Sequence, residues 1–169
     1  AWKDLAGQKI RVPPFEAYTE AAKALSIAAT PVPFNEVYLA LQQNLVAGMI
    51  TLVNVMLASK FNEVCKHVVT NDFGVGMEKF WCSERTWNRM TPQQRDIFVG
   101  LFNEIVGEHY FGVAKRQAVE DFKIWEQRNG AGTALTLDSG ELSRVMQPVG
   151  ERLANEVFGA GTYQAIQAI

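Results

Sequence analysis

The sequence has few of the residues that mark a metal site, a disulfide scaffold or a membrane span. Its 169 residues include two cysteines, Cys65 and Cys82, without the CxxC or Cys/His spacing of a zinc site. Two cysteines are too few for a disulfide framework, so two free, partly buried thiols are favoured over one disulfide. The longest apolar run, 45–58, is interrupted by glycine and polar residues and is shorter than the roughly 20 residues that a membrane helix needs.

The chain also lacks an excess of charge of either sign. Its 16 basic and 18 acidic residues give a net charge of -2. A surface for nucleic acid or anionic lipid would need a cluster of Lys and Arg, so neither is expected as a partner. With 48% hydrophobic and 20% charged residues, the composition predicts a folded domain with a sizeable core.

Motifs of catalysis and of cofactor binding are missing as well. The sequence contains no GxSxG, HExxH or GxxxxGK[ST], and no GxGxxG that opens a helix after a strand. His67 and His109 fall in helical segments with no Cys or Ser partner close in sequence, which favours a structural or solvated role. We therefore predict no enzymatic activity and no cofactor, while a small α/β enzyme with an unrecognised site stays open as an alternative.

The sequence does show an alternation of strands and helices. Apolar residues at strand and then at helical spacing predict three strand–helix pairs in series: 9–13 with 16–25, 30–34 with 35–45, and 46–51 with 53–67. Asn35 is predicted to cap the second helix. Such a series predicts an α/β fold, in which a parallel sheet is flanked by helices.

The pattern changes in the second half of the chain. Residues 68–82 are strand-like, and Thr91-Pro92-Gln93-Gln94 then combines an N-cap, a proline at the first helical position and a capping box. This start predicts a long helix that ends at Asn129-Gly130, with a bend near Gly107 and Gly112. The predicted organisation is α/β units over 1–67, crossing strands over 68–90, a long helix over 91–130, and over 131–169 a strand (134–137) with helices at 139–158 and from 162 onward.

Four short blocks stand out by their order and spacing. They read DLAGQKIRVP from Asp4, PVPFNEVYLALQ from Pro31, SKFNEV from Ser59 and TPQQ from Thr91. They resemble the DLKGLKIRVP, PxPFxEVYxALQ, SKFxEV and SPEQQ blocks of the TRAP (tripartite ATP-independent periplasmic) dicarboxylate-type solute-receptor family. The resemblance covers nearly the whole chain.

The resemblance implies a periplasmic-binding-protein-like fold, in which two lobes close on a small organic acid anion. It further implies a periplasmic location and docking on TRAP membrane permease subunits. Members of the family carry a large N-terminal segment that builds most of the first lobe, and nothing in this sequence corresponds to that segment. The first lobe is therefore expected to be largely missing, and self-association or a retained N-terminal fragment is expected to cover exposed strand edges.

The resemblance also assigns four candidate ligand-binding residues. Arg11 matches the arginine of KIRVP, which pairs with the ligand's carboxylate in that family, and a guanidinium offers two parallel donors for this purpose. Phe34 matches a phenylalanine that packs on the ligand. Thr51 lies where many members have the asparagine of VDGQENP, and Phe73 lies where others place a histidine or another cleft residue.

Two of these positions depart from the family's pattern. Residues 46–51 read VAGMIT and lack the acidic and amide groups that many members carry there, and Phe73 is apolar too. A less polar cleft predicts a monocarboxylate with an apolar or aromatic body in preference to a dicarboxylate or sialic acid. The alternative is a truncated homologue that has lost ligand binding and acts as an interaction protein.

Overall fold

A computed structural model describes residues 1–71 and 81–168 of the chain, except for the side chains of residues 107–109, 111 and 115. The chain divides into two packing units. The first comprises Ala1–Asn71 and Trp125–Ile169, and the second comprises Asp72–Ile124. The four segments predicted from the sequence stay a prediction, because they describe stretches of chain and not packing units.

The first unit contains a three-stranded parallel sheet. Its strands β1 (Lys9–Val12), β2 (Ala28–Pro31) and β3 (Gly48–Met49) lie in the order β2-β1-β3. Helix α1 (Glu16–Ala24) follows β1, and helix α2 (Val37–Gln42) follows β2. The predicted α/β fold with a parallel sheet is confirmed. Because β2 and β3 flank β1 on opposite sides, the carboxyl ends of β1 and β3 border a topological switch point.

Left-handed residues follow the first three helices of this unit. Asn44 has a φ of 56°, and the N–H of Leu45 beyond it donates to the carbonyl of Ala40 at 2.9 Å, which is the Schellman arrangement. Ser26, with a φ of 57°, ends α1 in the same way. Lys60, also at 57°, follows α3 (Val53–Ala58) and begins a 3₁₀ turn over Phe61–Glu63.

These helix ends correct three sequence predictions. The second helix ends at Gln42 and not near residue 45, and the third ends at Ala58 and not at residue 67, because a left-handed residue cannot continue a right-handed helix. Asn35 is not a cap. It lies inside a 3₁₀ turn, Phe34–Glu36, and α2 begins after it without a side-chain capping bond.

A second parallel pair joins β4 (Val68–Val69) to β5 (Ala134–Leu135). The side chain of Asn71 continues this pairing, since its Nδ2 donates to the carbonyl of Leu137 at 2.9 Å and its Oδ1 accepts from the Leu137 N–H at 2.7 Å. The strand predicted over 68–82 is thus confirmed at β4. Residues 72–80 lie outside the described residues, and residues 81 and 82 are not in a strand.

The buried side chains gather in the first unit. Trp125, Phe61, Val12 and Val37 are the largest fully buried ones among the described residues. Trp2 is also buried, and its Nε1 donates to the carbonyl of Asp138 at 2.7 Å. That bond ties the start of the chain to α7 (Ser139–Phe158), which is followed by α8 (Thr162–Gln167), so both predicted C-terminal helices are confirmed.

The second unit is helical where it is described. Helix α4 (Glu84–Arg89), inside the segment predicted as crossing strands, precedes α5 (Pro92–Phe102). A π-helical stretch (Asn103–Tyr110) then leads into α6 (Phe111–Asn129). The predicted long helix is confirmed, and its π-helical stretch contains Gly107, where a bend was predicted. No helix of the described residues has the length and hydrophobicity needed to cross a bilayer.

The long helix carries an apolar stripe that is largely exposed to solvent and comprises Ile97, Leu101, Ile105, Tyr110, Val113, Phe122 and Trp125. Four of its side chains remain more than half exposed: Ile97 (55%), Leu101 (51%), Ile105 (57%) and Val113 (51%). This stretch therefore presents apolar surface to solvent.

The capping box of α5 gives a first stability prediction. Thr91 Oγ1 accepts from the N–H of Gln94 at 3.2 Å, and Gln94 Oε1 accepts from the N–H of Thr91 at 2.9 Å. Thr91→Ala removes the first of these bonds and should lower the free energy of unfolding by about 1 kcal/mol in urea titrations followed by circular dichroism. Thr91→Ser, the matched control, should stay within a few tenths of a kcal/mol. Equal stability of the alanine and serine variants would contradict the prediction.

The two cysteines give a second prediction. Both are free thiols, with Cys82 exposed and Cys65 half-buried, so the predicted partial burial holds for Cys65 alone. Burial raises the pKa of the Cys65 thiol, which lowers its reactive thiolate fraction at a given pH. A thiol reagent at pH 8 should label Cys82 first in the native protein and both cysteines in urea. Cys65→Ser should abolish the slow phase, and labelling of Cys65 before Cys82 would be the contrary result.

Candidate functional site

Arg11 lies at the centre of the first sheet. It is on β1, where its backbone pairs with Thr30 of β2 on one side and with Met49 of β3 on the other. Although it is charged, the residue is only 3% exposed. The central strand therefore holds a buried cation near the carboxyl ends of its two neighbours.

The Arg11 guanidinium is bound by backbone carbonyls. Its Nε donates to the carbonyl of Val32, just beyond β2, at 3.0 Å, and its Nη1 donates to the carbonyl of Ile50, just beyond β3, at 3.3 Å. Its Cζ lies 5.9 Å from the centroid of the Phe34 ring, within the range of a cation–π interaction. No carboxylate among the described residues forms an ion pair with Arg11.

This surrounding leaves the charge of Arg11 incompletely compensated. Burial lowers the pKa of Arg11, because desolvation disfavours the charged form, yet a guanidinium stays protonated in proteins. Carbonyl oxygens and a ring face carry only partial negative charge, whereas a buried charge is normally paired with an opposite charge. The arrangement therefore favours an anion beside Arg11, and a carboxylate fits the geometry of the guanidinium.

An aromatic layer adjoins Arg11. Phe34 is 46% exposed, and its ring packs edge-to-face on Phe61 with the centroids 5.9 Å apart. Tyr38 lies on Phe61 at 6.1 Å, and its hydroxyl donates to Glu63 Oε2 at 2.8 Å. This hydrogen bond raises the pKa of Tyr38, because it stabilises the protonated phenol. The layer thus presents one partly exposed ring, supported by a buried one.

The four residues predicted from the sequence are placed as follows. Arg11 and Phe34 are in contact distance of one another. Thr51 is half-buried and directly follows Ile50, whose carbonyl accepts from Arg11. Phe73 lies outside the described residues. Their roles in binding stay predictions.

Sequence reasoning missed the residues that support this site. Phe61 and Glu63 are part of the SKFNEV block, and Tyr38 is part of the PVPFNEVYLALQ block, but neither block indicates that these side chains meet behind Phe34. The carbonyls of Val32 and Ile50 had no sequence signal at all, because any residue type provides a carbonyl oxygen.

Other parts of the described structure are weaker candidates for a functional site. A groove in the second unit is lined by Arg89, Met90 and Phe98 among others, but it includes none of the predicted site residues. His67 is exposed, and the described residues contain no group of three or more His, Cys, Asp or Glu side chains that could hold a metal ion.

The sequence and the fold of this chain match those of known proteins. The family model "Bacterial extracellular solute-binding protein, family 7" matches residues 1–155. The sialic acid-binding periplasmic protein SiaP of Vibrio cholerae is 32% identical over 118 residues, which are 70% of this chain and 36% of that protein. The C4-dicarboxylate-binding periplasmic protein DctP of Rhodobacter capsulatus is 27% identical over 172 residues, covering 98% of this chain and 50% of its own length.

A solved structure shows the same fold. The TRAP periplasmic solute-binding protein of Desulfovibrio salexigens, in complex with diglycerolphosphate, superposes with a TM-score of 0.82 at 26% identity and covers 98% of this chain. The match spans 52% of that protein. This chain therefore corresponds to about half the length of the Desulfovibrio and Rhodobacter proteins. The family consists of substrate-binding receptors, and this chain belongs to it as a TRAP-type solute-binding protein.

Proposed function

We propose that this chain contributes the anion-binding part of a receptor that captures a small organic acid for a TRAP transporter. The observation that carries the proposal is the buried guanidinium of Arg11, which meets two carbonyls and a ring but no carboxylate among the described residues. A ligand carboxylate would supply the missing charge and accept hydrogen bonds in parallel. Such a role is binding, and we propose that the protein is not an enzyme.

The relatives support an acidic ligand. The Vibrio protein is described as binding sialic acid and the Rhodobacter protein as binding C4-dicarboxylates. The Desulfovibrio structure contains diglycerolphosphate. These ligands differ in shape but share an acid group, which is the group that a desolvated arginine recognises.

The wall of the site favours a ligand with one acid group and an apolar body. Phe34 offers a half-exposed ring beside the cation, and the VAGMIT segment that leads to Thr51 adds no charged or amide side chain. The VAGMIT segment offers no cation to a second carboxylate, whereas an aromatic or aliphatic body would bury apolar surface on Phe34. Phe73 is proposed as a further apolar contact from its sequence position.

The proposal includes a location and a partner. The Vibrio and Rhodobacter relatives are periplasmic proteins, and we propose the same compartment for this chain. The subunits of a TRAP membrane permease are the proposed docking partner. A truncated homologue that has lost ligand binding remains the second candidate, and the exposed apolar residues of α5 favour it because they form a surface fit for another protein.

Replacement of Arg11 tests the binding role. Arg11→Ala should weaken binding of benzoate about 30- to 1,000-fold, or about 2–4 kcal/mol, because the carboxylate would be desolvated without a partner. Arg11→Lys should restore little of this loss, since an ammonium lacks the paired donors of the guanidinium. Titration calorimetry of the protein at its natural length, with benzoate, succinate and sialic acid as probes, measures the effect.

Two controls make this experiment decisive. Benzamide has the same ring without the charge, so the wild type should prefer benzoate strongly and Arg11→Ala should lose that preference. Arg128→Ala removes an exposed arginine of the same packing unit and should leave benzoate binding unchanged. If Arg11→Ala binds the acids as tightly as the wild type does, Arg11 is not the anchor, whereas a wild type that binds none of the probes would support the second candidate.

The exposed apolar side chains of the long helix lead to a proposal about assembly. We propose that they are covered by a second copy of the chain or by a polypeptide equivalent to the part of the relatives that this chain does not match. Sedimentation velocity at micromolar concentration should show a species heavier than the 18.8 kDa monomer. Ile97→Lys, which charges this surface, should shift the distribution toward the monomer, while Lys123→Glu on the exposed side of α6 should not. A monodisperse 18.8 kDa wild-type monomer would contradict this proposal.

A further inference from the structure

We infer that Phe61 is a positioning residue of the site, whose buried ring fixes the Phe34 ring beside the guanidinium of Arg11. This inference rests on the proposed function, because it concerns how the same site is shaped for an acid with an apolar body. Phe61 is 2% exposed, and its ring packs against Phe34, which is the ring that lies beside Arg11. The inferred effect of Phe61 on a ligand passes through Phe34.

The first step concerns the freedom of Phe34. It begins a 3₁₀ turn of three residues and is 46% exposed, and its ring packs edge-to-face on Phe61 and lies beside Arg11. A half-exposed side chain can change rotamer readily. The perpendicular packing on Phe61, at an interplanar angle of 84°, selects one ring orientation, which is the favoured T-shaped geometry.

The second step concerns Phe61 itself. It follows Lys60, whose left-handed backbone with a φ of 57° turns the chain at the end of α3. The 3₁₀ turn that Phe61 begins is then held from outside, because Asn129 Nδ2 donates to the carbonyls of Asn62 and Cys65 at 3.0 Å each. These two bonds from one side-chain amide hold the turn that Phe61 begins against the end of α6.

A second clamp acts through the aromatic layer. Tyr38 on α2 lies over Phe61 at 6.1 Å, and its hydroxyl donates to Glu63 Oε2, two residues beyond Phe61, at 2.8 Å. Because Phe34 and Tyr38 are four residues apart at the start of the same helical segment, this bond ties the segment that carries Phe34 to the turn that carries Phe61. The Phe61 ring thus contacts both Phe34 and Tyr38 of that segment.

Ring order at Phe34 tests the inference without any ligand. ¹³C relaxation of phenylalanine-labelled protein, with the Phe34 signal assigned by its loss in Phe34→Leu, reports the mobility of that ring. Phe61→Leu keeps an apolar side chain and should lower the order of the Phe34 ring, while Leu142→Val, a core change in α7, should not. If Phe61→Leu does not fold, Tyr38→Phe, which removes only the hydroxyl of the second clamp, should lower the order to a smaller extent. Unchanged order in the folded variants overturns the inference.

A double-mutant cycle with benzoate tests the consequence for binding. Phe61→Leu should weaken benzoate about 3- to 10-fold, the usual cost of ordering a side chain on binding, and should have less than about a 2-fold effect in the Phe34→Leu background. Equal losses in both backgrounds would mean that Phe61 acts only on stability, and they would overturn the inference. Failure of the proposed function would show separately, as benzoate binding that Arg11→Ala does not affect.

Discussion

The rest of the site depends on one constraint, the burial of the Arg11 charge in the middle of a parallel sheet. A cation that is 3% exposed must be compensated, and the fold provides the carbonyls of Val32 and Ile50 from the ends of two different strands. Both carbonyls are available only because β2 and β3 lie on opposite sides of β1. The strand order and the position of the charge therefore belong to one arrangement, at the end of the sheet where α/β proteins bind ligands.

The aromatic layer extends this arrangement away from the charge. The centroid of the Phe34 ring lies 5.9 Å from Arg11 Cζ and 5.9 Å from the centroid of the Phe61 ring. Phe34 is half-exposed, whereas Phe61 is buried. The innermost ring is fixed by the core, and the outermost ring faces solvent beside the cation. In the proposed site, such a layer would offer a ligand an apolar surface that is already ordered, which would reduce the entropic cost of binding.

The buried apolar residues lie mainly in the first packing unit, although both units also expose apolar side chains. The buried ones surround Trp125, Phe61 and Val12, and the described part of the second unit leaves Ile97 and Leu101 about half exposed. The chain also spans about half the length of its fuller matches. A helix begun by a good capping box keeps its form through local backbone bonds, even where its apolar face is exposed.

The sequence by itself determined the local elements and the family. The apolar spacing of the first strand–helix pairs, the TPQQ start of α5 and the blocks around Arg11 and Phe34 are local signals. The parallel strands, long helix and family that they predicted are confirmed. The tertiary structure alone decided where α2 and α3 end, because left-handed Asn44 and Lys60 carry no glycine signal. It also decided which groups surround Arg11 and that Phe61 supports Phe34. The two carbonyls that accept from Arg11 belong to residues 21 and 39 positions away from it in the chain. Contacts between such distant residues arise from strand order and packing, which no single stretch of sequence encodes.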